Sequence, residues 1–256
     1  MRIGCIALLL TVACAPLTPR QEAQRVAIDK ALVGKKVYAQ CALYRGWFWD
    51  DPTRDLLAPH PVLHRIWLLD RRGKNVPTRL RLKRVQPGSI WFIERISHPL
   101  GLERASRPLL SPRHLSWIHL RKGSSQAIVP IPERLDTESA VLNWFTQLFA
   151  EVPPNILDIT PPAHRRAMKQ GRLVAGMSSA EVQTALCQPD QIWRDQTVTP
   201  AVEKWIYLNQ TGDHLVAVFL DGKATGQTVR MTPEDYEALP RRTQQKTEGA
   251  ANPPAP

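Results

Sequence analysis

Two serines, a glutamate and a cysteine stand within GMSSAEVQTALCQP, residues 176–189. A serine beside a carboxylate could act as a nucleophile if a base lay within hydrogen-bond reach to take its proton. The histidines nearest in sequence are His164 and His214, and neither is a local neighbour. No G-x-S-x-G elbow exposes a serine at a strand-to-helix turn. A thiol nucleophile, Cys41 or Cys187 with one of the seven histidines, is conceivable, yet nothing in the spacing favours it. No CxxC, HExxH or Cys/His cluster with ligand spacing occurs, so neither metal nor cofactor is expected. Asp50 and Asp51 read as turn residues rather than a catalytic pair.

The same stretch reads equally well as helix punctuation. Ser178 is a natural N-cap, and Glu181 three residues on completes an S-x-x-E capping box. Val182, Ala185 and Leu186 then form a buried stripe at i, i+3 and i+4, and Pro189 stops the helix. On this reading the serine and the carboxylate satisfy backbone donors, and a non-enzymatic protein is expected.

The elements around this helix define a unit over 163–236. A short helix over 163–170 ends at Gly171. Three strand-like runs follow the capped helix, at 191–194, 203–208 and 215–220, with Asp221-Gly222 as a turn signal. Trp205 and Tyr207 share one strand face and belong to the core. An αα-βββ arrangement is predicted. Val152-Pro-Pro-Asn and Thr160-Pro-Pro bracket a linker over 153–162.

The preceding unit, 31–152, is mostly antiparallel β. Runs at 36–44 and 65–69 are strand-like, and 78–85 alternates with period two. Gln86-Pro-Gly-Ser is a turn that makes 90–96 the hairpin partner of 78–85. A further strand covers 115–120, and 137–151 is a helix whose apolar face carries Val141, Phe145 and Leu148. The fold class is α+β, with the first unit akin to a small SH3-like barrel.

Chemistry of recognition is more visible than chemistry of bond-making. The net charge is +11, and over 61–125 fourteen Lys and Arg face three Asp and Glu. Arg79, Arg81 and Lys83 share one side of a strand, either a solvated face or a surface for anionic lipid or an acidic partner. Trp47, Phe48 and Trp49 are three consecutive aromatics that cannot all face one core. They either pack under the sheet or stand at an interface.

The N-terminus reads as a targeting segment. Arg2 precedes an apolar run over 3–12, and Thr11-Val-Ala-Cys14 resembles a bacterial lipobox, in which the cysteine is lipidated. The alternative is a plain signal cleaved after Ala13 or Ala15. The lipobox implies a signal peptide over 1–13 and anchoring through Cys14, and the polar, alanine-rich residues that follow read as a tether over 14–30 that could hold a short helix. Ala15 lacks the aspartate that retains such proteins at the inner membrane, which implies the outer membrane and a periplasmic face. Nucleic acid is then an excluded partner, while anionic lipid and lipopolysaccharide are available ones. Once Cys5 and Cys14 are assigned to the signal and the anchor, Cys41 and Cys187 remain. An oxidising compartment would let them pair. Placed in different units, they are expected as two buried thiols. A polar tail, 237–256, is expected to be disordered.

Gly176-Met177-Ser178, Val182, Leu186, Pro189, then Trp205-x-Tyr207, then Val218-Phe219 before Gly222, follow a family pattern. Residues 163–225 resemble the BamE/SmpA/OmlA outer-membrane lipoproteins. The resemblance implies two helices on one face of a three-stranded sheet, an adaptor role in outer-membrane assembly or envelope maintenance, and an interaction surface on loops and sheet edges that places Trp193, Arg194 and the loop from Asp195 to Pro200 among the candidates. The same small fold in hydrolase inhibitors makes an inhibitory module the alternative, and the β unit could instead bind cell wall. Cys187 stands where the family pattern has a glycine. In the left-handed geometry that ends a helix, a cysteine costs ~1 kcal/mol relative to glycine.

Overall fold

A computed structural model describes residues 18–48, 51–59, 84–100, 105–107, 115–132, 135, 137–195, 199–208 and 214–232. The chain is α+β, with a curled eight-stranded sheet followed by a four-stranded one. No helix among the described residues is long and apolar enough to cross a membrane.

Helix α1 (Pro19–Leu32) replaces most of the expected tether. Thr18 and Gln21 form a capping box, Pro19 pre-sets the first turn, and Ile28 and Leu32 enter the core. Only Ile28 and Leu32 of this helix are buried, so the sequence PRQEAQRVAIDKAL shows little of an apolar face and its length was not foreseen.

Two long bent segments then build the curl. The first is β1 (Lys36–Ala39), a corner at Gln40-Cys41-Ala42, and β2 (Leu43–Phe48). The second is β4 (Arg84–Val85), a corner over 86–89, and β5 (Ile90–Ser97). They run antiparallel side by side: Tyr44 opposes Arg84, Leu43 opposes Val85, and Val37 opposes Trp91. The corners are joined by Gly88 N–H donating to the Ala39 carbonyl at 2.7 Å and Ala39 N–H donating to Ser89 at 2.9 Å. The expected hairpin between 78–85 and 90–96 is therefore corrected. Residues 78–83 lie outside the described residues; Gly88, at φ +79°, turns the chain onward through a corner, so Arg84 and Val85 pair with β2 while 90–96 flanks β1.

The remaining strands are β3 (Asp51–Ala58), β6 (Trp117–Lys122), β7 (Ser125–Pro130) and β8 (Phe149–Ala150). The sheet order is β4-β2-β3-β7-β6-β5-β1-β8. β3 pairs with β7 in parallel, while the other described pairs are antiparallel. Asp51 heads β3 opposite Phe48, beside the expected turn. Helix α2 (Glu138–Leu148), capped by Thr137, lays Val141, Phe145 and Leu148 on this core, and Phe145 stacks on Phe149 at 5.2 Å.

The expected linker is ordered. A one-turn helix, α3 (Ile156–Ile159), stands between its prolines, and Thr160 is buried. Prolines at both flanks limit the helix to a single turn without keeping the segment off the protein. Helices α4 (Pro162–Gln170) and α5 (Ser179–Leu186) follow. They cover the antiparallel sheet β9 (Gln191–Asp195), β10 (Val202–Leu208), β11 (His214–Leu220) and β12 (Lys223–Met231). Three strands were predicted here and four are found. β12, KATGQTVRM, carries polar residues on both faces and lacks the alternation that marks a half-buried strand. It is tied in by Gly176 N–H to the Ala224 carbonyl and Ala224 N–H to the Met177 carbonyl, both at 2.8 Å. Met177, Val182, Trp205, Tyr207 and Phe219 form the second core, with Trp205 and Phe219 rings 4.7 Å apart.

Candidate functional site

The seam between the sheets is built around a disulfide. Cys41, in the β1–β2 corner, bonds Cys187, the C-cap of α5. The expectation of two free thiols is corrected: the corner projects one cysteine from the first sheet onto the helix end that carries the other. Cys187 has φ +64° and ψ −166°, a region that glycine occupies freely and other residues avoid. Around it, Ala42 N–H donates to the Thr184 carbonyl at 3.0 Å, and the Tyr207 hydroxyl donates to the Cys187 carbonyl at 3.4 Å. Burial first, and Asp190 second, push the Tyr207 phenol well above its ordinary value, so it stays a neutral donor.

Arg84 forms a second clasp. Its guanidinium lies 4.0 Å from the Tyr44 ring centre and donates to the Tyr44 hydroxyl at 2.6 Å. On its other side is Gly171, the left-handed C-cap of α4, where a Cβ would fall 2.3 Å from Arg84 Nη1. Burial lowers the Arg84 pKa, partly opposed by Tyr44.

The opening constellation resolves into a cap. Ser178 Oγ donates to Glu181 Oε2 at 2.9 Å and accepts from Glu181 N–H at 3.4 Å, and Glu181 Oε2 accepts from Ser178 N–H at 2.7 Å. His164 Nδ1 meets the other carboxylate oxygen at 3.0 Å. Thus the carboxylate, not the imidazole, is the neighbour of the serine. Burial alone would raise the Glu181 pKa. The Ser178 and His164 hydrogen bonds together outweigh it and hold the carboxyl below its ordinary value. A carboxylate so stabilised is a weak base for a serine proton, and the geometry suits backbone satisfaction.

A second serine–histidine pair was missed from sequence. Ser97 Oγ lies 2.9 Å from His119 Nε2, and Arg107 donates to Ser97 Oγ at 3.0 Å and to the Ser97 carbonyl at 2.9 Å. All three residues are buried, and Arg107 covers the Trp117 ring at 3.9 Å. Ser97 Oγ accepts from Arg107 and still has one proton and one lone pair, so the tautomer of His119 sets which of the two donates in their hydrogen bond. Burial, then Arg95, Arg54 and Arg107, push His119 down to about 3. That is far too weak a base to activate a hydroxyl near neutrality. No local motif marks this pair, because Ser97 and His119 meet only through the pairing of β5 with β6.

The predicted surface residues divide sharply. Trp193 and Arg194 lie on β9, an edge strand. Lys204 sits over the Trp193 ring at 4.7 Å, and Arg194 pairs with Glu203 at 2.6 Å. Glu203 also accepts from the Trp205 indole N–H. Trp47 and Phe48 belong to β2 by backbone, with their side chains outside the described residues, and Trp49 lies outside altogether. Cys14, Arg79, Arg81 and Lys83 are likewise outside the described residues. Among the described residues no group of three or more His, Cys, Asp or Glu could hold a metal ion. Compared with known proteins, the chain matches no family model, no curated protein and no solved structure.

Proposed function

We propose that this chain is a lipid-anchored envelope protein acting as a non-enzymatic adaptor at the bacterial outer membrane, held by Cys14 and presenting β9 to a protein partner. One observation carries the reading. Met177, Val182, Leu186, Trp205, Tyr207 and Phe219, the apolar residues behind the resemblance to the BamE/SmpA/OmlA lipoproteins, lie together in one buried core. The pattern therefore has a common physical cause in this chain, the packing of a capped helix on a W-x-Y strand. The Cys41–Cys187 disulfide supports an oxidising compartment such as the periplasm.

The adaptor surface falls on β9 because it is a sheet edge with an aromatic ring and an exposed arginine. Edge strands offer unpaired backbone groups to a partner, and tryptophan and arginine are favoured at interfaces. Two measurements test the reading. Labelled palmitate should enter the full chain and fail to enter the Cys14→Ser variant; equal labelling of both would remove the anchor. A photo-crosslinker at Arg194 should trap one envelope protein, whereas trapping a soluble hydrolase would favour the inhibitor alternative.

A further inference from the structure

We propose that the groove between the 86–89 corner and helix α4 is a binding site for a phosphate ester. The groove has a volume of about 350 Å³ and is lined by Gln86, Pro162, Arg165, Arg166, Lys169 and Gln170. That volume is at the small end of ligand sites, which run from about 300 Å³ upward. It suits a headgroup or a sugar phosphate better than a larger ligand.

The lining chemistry selects an anion. Three of the six residues are cations, two are amides that can donate, and none is a carboxylate. Arg165 and Lys169 stand four apart on one helix face, a like-charge spacing that is unfavourable without a counter-charge. Arg165 uses Nη2 on the backbone carbonyls of Thr160 at 3.1 Å and Asp158 at 3.4 Å. Its Nε is buried and has no hydrogen-bond partner among the described residues. That nitrogen is closed off from the groove's solvent, so the exposed Arg166 and Lys169 are the cations that an entering oxyanion would meet first.

The helix itself reinforces the preference. No acidic residue occupies the first turn of α4, and Arg165 and Arg166 follow at once. This inverts the usual arrangement, in which negative charge sits at the positive end of the helix dipole. A dianionic group beside Pro162 would offset both the dipole and the crowded cations. Guanidinium forks match phosphate oxygens in geometry as well as charge. Gln86 comes from the first sheet, so the site exists only when corner and helix are held together.

None of the residues that line the groove belongs to β9, and failure of this site would leave the adaptor reading untouched. The test uses the purified full chain with two probes at ~0.15 M salt, where exposed charges are largely screened beyond about 8 Å. Inorganic pyrophosphate is titrated calorimetrically, and vesicles of phosphatidate in phosphatidylcholine are compared with phosphatidylcholine alone by co-sedimentation. The double variant Arg166→Glu/Lys169→Glu changes exposed side chains within the groove. Lys223→Glu/Arg230→Glu reverses the same charge on β12. The expected result is a loss of about tenfold or more with the groove variant and little change with the β12 variant. Binding of pyrophosphate alone identifies a soluble phosphate compound, and binding of vesicles alone a lipid headgroup. Equal loss in both variants, or no binding of either probe, would overturn the site.

Discussion

Cys41 and Cys187 lie 146 residues apart in the chain, yet a disulfide holds their Cα atoms 5.0 Å from one another. The bond fastens a corner of the first sheet to the end of the helix that roofs the second. It also retains a cysteine at φ +64° and ψ −166°, where the side chain is a liability. Cross-linking a loop of more than a hundred residues stabilises by about 4–5 kcal/mol in the chain-entropy account. The backbone geometry opposes this by about 1–3 kcal/mol.

These two effects can be separated. Cys41→Ser/Cys187→Ser should lower the urea midpoint strongly. Cys41→Ser/Cys187→Gly should recover about 1 kcal/mol of that loss, since glycine accepts the left-handed side of the map. Identical midpoints for the two double variants would refute the backbone account, and an unchanged midpoint on reduction would refute the cross-link account.

Arg84 against Gly171 yields a second prediction. Gly171→Ala places a methyl on the guanidinium and forces alanine into φ +63°, so it should cost about 2 kcal/mol. Removing the obstacle with Arg84→Ala relieves part of that cost while losing the Tyr44 contact. The double variant should then be less destabilised than the sum of the singles, by about 0.5 kcal/mol or more. Additive denaturation energies would show that the two residues do not touch in solution.

What could be read without the structure followed the range of each interaction. The α5 cap was legible because Ser178 and Glu181 are three residues apart and the signal is local. Trp205 and Tyr207 were legible as core because a strand places them on one face. β12 was not, because its residues alternate poorly. β3 was obscured by Pro52, which suits an edge or a strand start better than a strand within a sheet. The disulfide, the Arg84 clasp and the Ser97–His119 pair depend on which elements meet, and no spacing in the chain encodes that. The 86–89 corner shows the same limit. Pro-Gly correctly signalled a change of direction, but only the partner strands decide between a hairpin and a bend.

His119 gives a prediction in pH. Its folded value of about 3 lies below the ordinary 6.5, so the unfolded chain binds the extra proton first as pH falls. The stabilisation is complete above about 6.5 and is lost progressively toward about 3, with a limiting slope of about 1.4 kcal/mol per pH unit. His119→Gln keeps a polar group facing Ser97 and removes the titration. Its stability should therefore fall less than that of the natural chain between these limits. A resonance assigned to His119, by its loss in His119→Gln, that titrates near 6.5 in the folded protein would contradict the buried, arginine-flanked setting.

Glu181 acts in the same direction through different chemistry. Its carboxyl is held below the ordinary value near 4.5, with burial overcome by Ser178 and His164. A depressed carboxylate contributes stability above its unfolded pKa, and the contribution fades as pH falls through the folded one. Glu181→Gln should be less stable than the natural chain at neutral pH, and the difference should shrink in acid. Ser178→Ala should cost ~1 kcal/mol by leaving a helix donor without its cap. That loss should also grow smaller once Glu181 is protonated, because Ser178 donates to the same carboxylate. Chemical denaturation of the three chains between pH 7 and pH 3 distinguishes a structural cap from an active serine. If Ser178→Ala abolished partner capture with its melting temperature unchanged, the hydroxyl would have a role beyond the helix end.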